Sequence, residues 1–239
     1  MAANSRKIDS LIADLGSKND EVRIDARRSL VSLGQPALKP LVEALQNPEE
    51  TVRWEATRAL AQMEGLWRQY ADGATVSILI NDLDSKDGIV RTQVRQLLID
   101  IGVSAVKPLI KALSHKKETV RWEAAKALSQ IGDSTATAAL VKALDDKMFD
   151  VRWLAAEGLI AIGRPALVPL LKRLVAEPDS MILREGVHHV LHNTEGGHKN
   201  KMIQPVLLAL EGVEPTVEVP VAAEAALTEL AKADKGKSA

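Results

Sequence analysis

Cysteine is absent from the 239 residues, which excludes disulfides, thiolate metal sites and cysteine nucleophiles. Aromatic residues are scarce, 3% of the chain, with one Phe and one Tyr beside four Trp. A β-sandwich would want more aromatic and β-branched side chains, whereas helices packed closely on Ala and Leu suit this composition. Neither sign of charge is in excess: 31 Lys and Arg face 32 Asp and Glu, a net charge of −1. No global field therefore draws the chain to nucleic acid or acidic membranes. No apolar run approaches the ~20 residues that a membrane span needs. Met1 to Lys7 leads into an amphipathic stretch rather than a signal-peptide core. The expectation is a cytoplasmic protein without a membrane partner. A Gly-rich phosphate loop and a G-x-S-x-G elbow are also missing, so no catalytic constellation is apparent.

What is present is repetition. Val22-Arg23, Val52-Arg53, Val90-Arg91, Val120-Arg121, Val151-Arg152 and Leu183-Arg184 each open a similar apolar stretch, at spacings of 30, 38, 30, 31 and 32 residues. A period of this length marks a stacked-repeat architecture. Ser104–Leu113 reads as a first helix, A, His115–Glu118 as a turn, and Thr119–Ile131 as a second helix, B. Gly34, Gly102, Gly132 and Gly163 stand twelve residues after the opening Val, where a left-handed helix stop is expected. Helix A begins at Pro36, Ser104, Asp133 or Pro165 and carries a further Pro at Pro40, Pro108, Pro169 or Pro205. In helix B the apolar residues fall at positions 0, 4, 7, 8 and 11 from the opening Val, one stripe at about 100° per residue. Small residues at positions 4 and 7, such as Ala56, Ala59, Ala124, Ala127, Ala155 and Gly158, leave room for a neighbouring helix.

The pattern predicts an all-α fold, an α-α superhelix of about seven helix pairs, forming one solenoid over 1–239. The repeats are placed at 5–34, 35–64, 73–102, 103–132, 133–163, 164–193 and 200–232. Two irregularities interrupt it, an insertion around Glu64–Tyr70 and a polar loop from Asn193 to Asn200.

The interior Pro of helix A, the acidic-x-V-R opening of helix B and the A-x-x-A-L-x-x-I-G close resemble HEAT repeats. The stretch Val120–Gly132 is most similar to the HEAT-like repeats of phycobilisome lyases, which are widespread in prokaryotic proteins. The resemblance spans roughly residues 8–232 and implies B helices lining a concave surface. It is specific for fold and weak for function, because such repeats serve scaffolds, lyases, a hydroxylase and DNA glycosylases.

Three groups of side chains stand out. The first is a ladder: Arg23, Arg53, Arg91, Arg121, Arg152 and Arg184 share one position, with acidic residues just upstream. The expected role is structural, each Arg bonding a carboxylate or loop carbonyl of an adjacent repeat. The second lies opposite the apolar stripe, where position 2 holds Trp54, Trp122 and Trp153 and position 6 holds Arg58, Lys126 and Glu157. These six residues make a candidate surface for a protein or peptide partner, unless each Trp simply seals its neighbour. Glu55 and Glu123 follow two of the tryptophans. The W-E pairs resemble the H-E pairs of deoxyhypusine hydroxylase, with Trp where the metal-ligating His would be, so a di-iron site there is not expected. Glu55 is instead paired with Arg58, and Glu123 with Lys126, three residues on.

The third group is late. His188, His189, His192 and His198 cluster in sequence, and Glu185, His188, His189 and His192 fall on one side of their helix. That spacing, with Glu157 one repeat earlier, is the one candidate for a divalent metal, against polar packing at a terminal repeat. No other cofactor is expected. The leading reading is a non-enzymatic scaffold for a protein or peptide. The alternatives are a bilin lyase-like subunit and a metal-binding protein. A nucleic-acid enzyme is disfavoured, because Asp25, Glu157 and Glu185 offset Arg58, Arg95 and Lys126.

Overall fold

The computed structural model describes residues 2–194, 197 and 200–235, and no strand occurs among them. The A helices are α1 (Ala2–Asp14), α3 (Gln35–Ala44), α5 (Gly73–Asp82), α7 (Val103–Ala112), α9 (Thr137–Ala143), α11 (Arg164–Ala176) and α13 (Gln204–Leu210). The B helices are α2 (Asp20–Leu33), α4 (Glu50–Leu60), α6 (Gly88–Ile101), α8 (Glu118–Ile131), α10 (Phe149–Ile162), α12 (Met181–Asn193) and α14 (Pro215–Lys235). The chain forms two compact units, residues 1–127 and 128–239, with the boundary in α8. No helix among the described residues is long and apolar enough to cross a membrane.

The apolar stripe of helix B is the core. Val52, Ala56, Ala59 and Leu60 in α4, Val90, Val94, Leu97 and Leu98 in α6, and Leu183, Val187, Val190 and Leu191 in α12 are buried. Each buried Leu or Val contributes roughly 1.5–3 kcal/mol relative to an exposed one. Small residues set how closely helices approach. A Cβ added at Gly158 would lie 3.0 Å from the Leu140 side chain of α9 and 3.3 Å from the Ser129 backbone of α8, so α10 approaches both closely there. In the N-terminal unit α2, α4 and α6 pack in succession, as do α1 with α3 and α5 with α7. In the C-terminal unit α10 packs on α9 and α12, but the last B helix, α14, departs from the pattern and packs chiefly on α11 and α13.

The glycine stops differ from the expected left-handed turn. Gly34, Gly102 and Gly163 combine φ of 65 to 72° with ψ of −134 to −130°. That is the mirror image of extended backbone, open in practice only to Gly. The reason is economy of chain: one residue serves as the C-cap of helix B and the N-cap of the next helix A.

The insertion has its own anchor. After α4, Gly65 takes a left-handed conformation (φ 70°, ψ 6°) and starts a 3-10 turn over Leu66–Tyr70. The turn drives Trp67 to 0% exposure against α3. Asp72 then restarts the array with a capping box. It accepts the Thr75 backbone N–H at 2.8 Å and the Thr75 hydroxyl at 2.8 Å, which hold its carboxyl below the usual 3.8.

Candidate functional site

The arginine ladder is a latch within each repeat. Arg23, Arg53, Arg91, Arg121 and Arg152 donate Nη1 to the carbonyl six residues earlier, those of Ser17, Asn47, Ser85, His115 and Asp146, at 2.6 to 3.1 Å. Arg184 does the same to Pro178. These carbonyls sit in the turn after helix A, where the helix end leaves acceptors unsatisfied. The common bond thus stays inside the repeat, a correction to the expected link to an adjacent one. The geometry favours it because the turn folds back over the first turn of helix B. Two ladder residues reach further as well: Arg53 to Asp82 at 3.3 Å, and Arg91 to Glu123 at 3.4 Å.

A second set of charges ties neighbouring B helices of the N-terminal unit. Glu55 is 4% exposed and accepts from Arg27 of α2 and from Arg58 of its own helix at 2.7 Å. Arg58 continues to Asp87 at 2.9 Å, whose other oxygen caps α6 through Ile89 N–H at 2.8 Å. Glu123, 3% exposed, accepts from Arg95 and pairs with Arg91. Both of these cations come from the preceding repeat. A groove of about 350 Å³ on this face is lined by Ile24, Arg27, Glu55, Arg58 and Ile89, so its charges already satisfy one another. A larger groove, about 530 Å³, opens between α5 and α7 beside Asn81, Pro108 and Lys111.

The three position-2 tryptophans do not share one environment. Trp54 is half-buried, and its Nε1 is enclosed with no hydrogen-bond partner among the described residues. Trp122 is half-buried beneath the Arg95 guanidinium, 5.5 Å from the ring centroid. Of the two arrangements the sequence leaves open, these two rings fit the sealed one: position 2 points away from the core, and at Trp122 toward the preceding B helix. Trp153 is 46% exposed. It stacks on Phe149 (6.4 Å between centroids, 30° between planes) and against His189 of α12 at 4.3 Å.

The late histidines divide into pairs. His189 Nε2 lies 3.0 Å from Glu157, and His188 Nε2 lies 2.9 Å from Glu211. His188 and His192 rings are 5.9 Å apart, and Glu185 is exposed. Among the described residues no three metal-ligating side chains converge, so Glu185, His188, His189 and His192 are not gathered as one set. His198 lies outside the described residues.

Comparison with known proteins supports the pattern read above. The family model for HEAT repeats matches residues 8–99 and, overlapping, 74–148. The chain belongs to the HEAT-repeat family. No curated protein matches it. Among solved structures, an engineered protein is similar at 22% identity and a TM-score of 0.50, over 92% of this chain and 67% of the other. A designed armadillo repeat protein, solved in complex with the peptide (KR)4, is similar at 20% identity and a TM-score of 0.43, over 91% and 98%. The phycocyanin lyase complex from Nostoc sp. is similar at 20% identity and a TM-score of 0.46, over 93% and 94%. At these identities the likeness speaks to fold alone.

Two exposed residues of the HEAT array escape the sequence reading. Phe149 and Met181, each 63% exposed, open α10 and α12. They stand two residues before the opening Val or Leu, where earlier repeats carry Asp20, Glu50, Gly88 and Glu118. An apolar residue at a position otherwise polar was the available signal.

Proposed function

We propose that this HEAT-repeat chain is a non-enzymatic scaffold that takes a protein or peptide segment on the outward face of its B helices. The observation that carries the reading is the group of exposed apolar side chains on the B helices of the second unit, Phe149, Trp153 and Met181, with Ile89 exposed at the start of α6 in the first unit. Exposed aromatic and Met side chains grouped on a face are a feature of interaction surfaces, and repeat arrays offer such faces over many helices. Of the six partner-binding candidates, Trp153 and Glu157 remain in this proposal as contact residues. Trp54, Arg58 and Trp122 are engaged within the protein, and Lys126 is half-buried at the same phase.

The test compares two matched variants. One carries Ile89→Ser, Phe149→Ser and Trp153→Ser on B helices. The other carries Val103→Ser and Leu208→Ser, exposed apolar residues of A helices. Quantitative co-purification from native extract should show partners lost about tenfold or more from the B-face variant and retained by the A-face variant. The reverse pattern, or equal recovery from both, would overturn the reading.

A further inference from the structure

We infer that the groove between α5 and α7 binds a small organic carboxylate, its carboxylate held by Lys111 and His115 and its apolar body laid on Ile80 and Pro108. The inference goes beyond the scaffold reading, because this groove lies between A helices and not on the B face.

The sequence makes room at this place. Thirteen and nine residues before the opening Val, α7 carries Lys107 and Lys111, whereas α5 carries the shorter Ser77 and Asn81. The short α5 wall leaves about 530 Å³ open between the two helices, all of it lined by residues of the N-terminal unit. That volume is in the range of small-molecule sites. Ile80 and Pro108, both half-buried, give the lining an apolar part on which a hydrocarbon body can leave water.

The polar part of the lining is a set of uncommitted donors. Lys111 is exposed and has no carboxylate partner among the described residues. His115 Nδ1 accepts the Lys117 backbone N–H at 3.2 Å, which in the neutral ring leaves the hydrogen on Nε2 as a donor. The Asn81 amide adds two further N–H donors. Asp84, the carboxylate that lines the groove, is already paired with Lys117. Around it Lys107 and Lys116 are exposed against one exposed acid, Glu118, so the balance of charge is positive. A cationic ligand would meet like charge here, and a neutral apolar one would displace water from these donors without replacing its hydrogen bonds. A carboxylate on an apolar body satisfies both parts of the lining, with charge-assisted bonds at one end and burial at the other.

The test titrates the full chain with octanoate, octanol, octylamine and butyrate, followed through backbone amide shifts in 1H–15N spectra. Octanoate should bind about tenfold more tightly than octylamine or butyrate and about fivefold more tightly than octanol, with saturable shifts at Asn81, Lys111 and His115. Lys111→Gln should weaken octanoate by about fivefold and leave octanol within about twofold of wild type. Ile80→Ser should weaken both by about threefold. Lys142→Gln, at the same position of the next A helix, should change neither. Circular dichroism confirms that each variant is folded. Octylamine or butyrate binding as tightly as octanoate would overturn the inference, as would octanoate binding that ignores Lys111→Gln. Saturable shifts that leave Asn81, Lys111 and His115 unmoved, or no binding of octanoate, would overturn it too. None of these outcomes bears on the B face, which the co-purification comparison decides.

Discussion

Trp122 in the N-terminal unit and Trp153 in the C-terminal unit stand at the same position of the same repeat, yet one is covered and the other open. Trp122 lies under Arg95, which is anchored in turn on a buried Glu123. Trp153 has aromatic neighbours and almost half its surface in solvent. An outward tryptophan is not open by phase alone. Trp54 and Trp122 are each followed by a Glu at position 3 that takes an Arg from position 5 of the preceding B helix, and there the B face closes into ion pairs. Trp153 is followed by Leu154, which offers no such anchor, and 46% of its surface stays open.

The sharpest way to probe that contrast is through the tryptophans themselves. Trp67 is fully buried in the insertion, so Trp67→Ala should cost about 3–5 kcal/mol of stability in urea denaturation. Trp153→Ala should cost about 1 kcal/mol or less, since half the ring is already in water. Equal costs would break the distinction.

Next comes the ion pair. Glu123→Ala strands Arg91 and Arg95, whose side chains are 24% and 14% exposed, so about 2–3 kcal/mol is expected after allowing for solvent. Adding Arg95→Ala should recover part of that loss, because the double variant no longer holds one of the uncompensated charges. A double variant no better than the single would show that packing, rather than charge, closes this face.

The two units share their frame, and glycine tests it. Gly102→Ala and Gly163→Ala force L-residues into φ near 70°, and each should cost about 1–2 kcal/mol. Clearly unequal costs would mean that the repeats differ in more than their faces.

The smallest effect is a pH dependence. Asp72 in the N-terminal unit and Asp133 in the C-terminal unit are both held below the ordinary carboxyl value of 3.8. For Asp72 the leading cause is the Thr75 backbone N–H, and for Asp133 the Thr135 hydroxyl. A folded-state pKa below the unfolded one adds stability that is present above 3.8 and fades as pH falls through the lowered folded value. Asp72→Ala and Asp133→Ala should each lower Tm slightly at neutral pH, and the gap from wild type should close in acid. A gap that persists at pH 2 would contradict the capping account.

The period, the glycine stops and the apolar stripe were legible in the sequence because each repeats. The ladder was legible as structural, but its acceptor was not, since a carbonyl carries no residue identity. Trp67 gave no warning of its burial: Gly65–Tyr70 has no helical period, and only the left-handed turn at Gly65 directs the ring inward. The environment of Trp54 and Trp122 was hidden for a related reason. Arg27 and Arg95 act 28 residues away, on Glu55 and Glu123, through a contact that the stacking of repeats creates. Phe149 and Met181 were readable as departures from a position that holds Asp, Glu or Gly in the earlier repeats, and were less conspicuous than the tryptophans.

The most direct test uses the four indole N–H signals in a 1H–15N spectrum of the full chain, titrated with a soluble uncharged paramagnetic agent. One indole reports the insertion, two report the ion-paired face, and one reports the open face. The account predicts that the Trp153 signal broadens most while those of Trp54 and Trp67 persist. Broadening of Trp54 or Trp67 with Trp153 protected would contradict it.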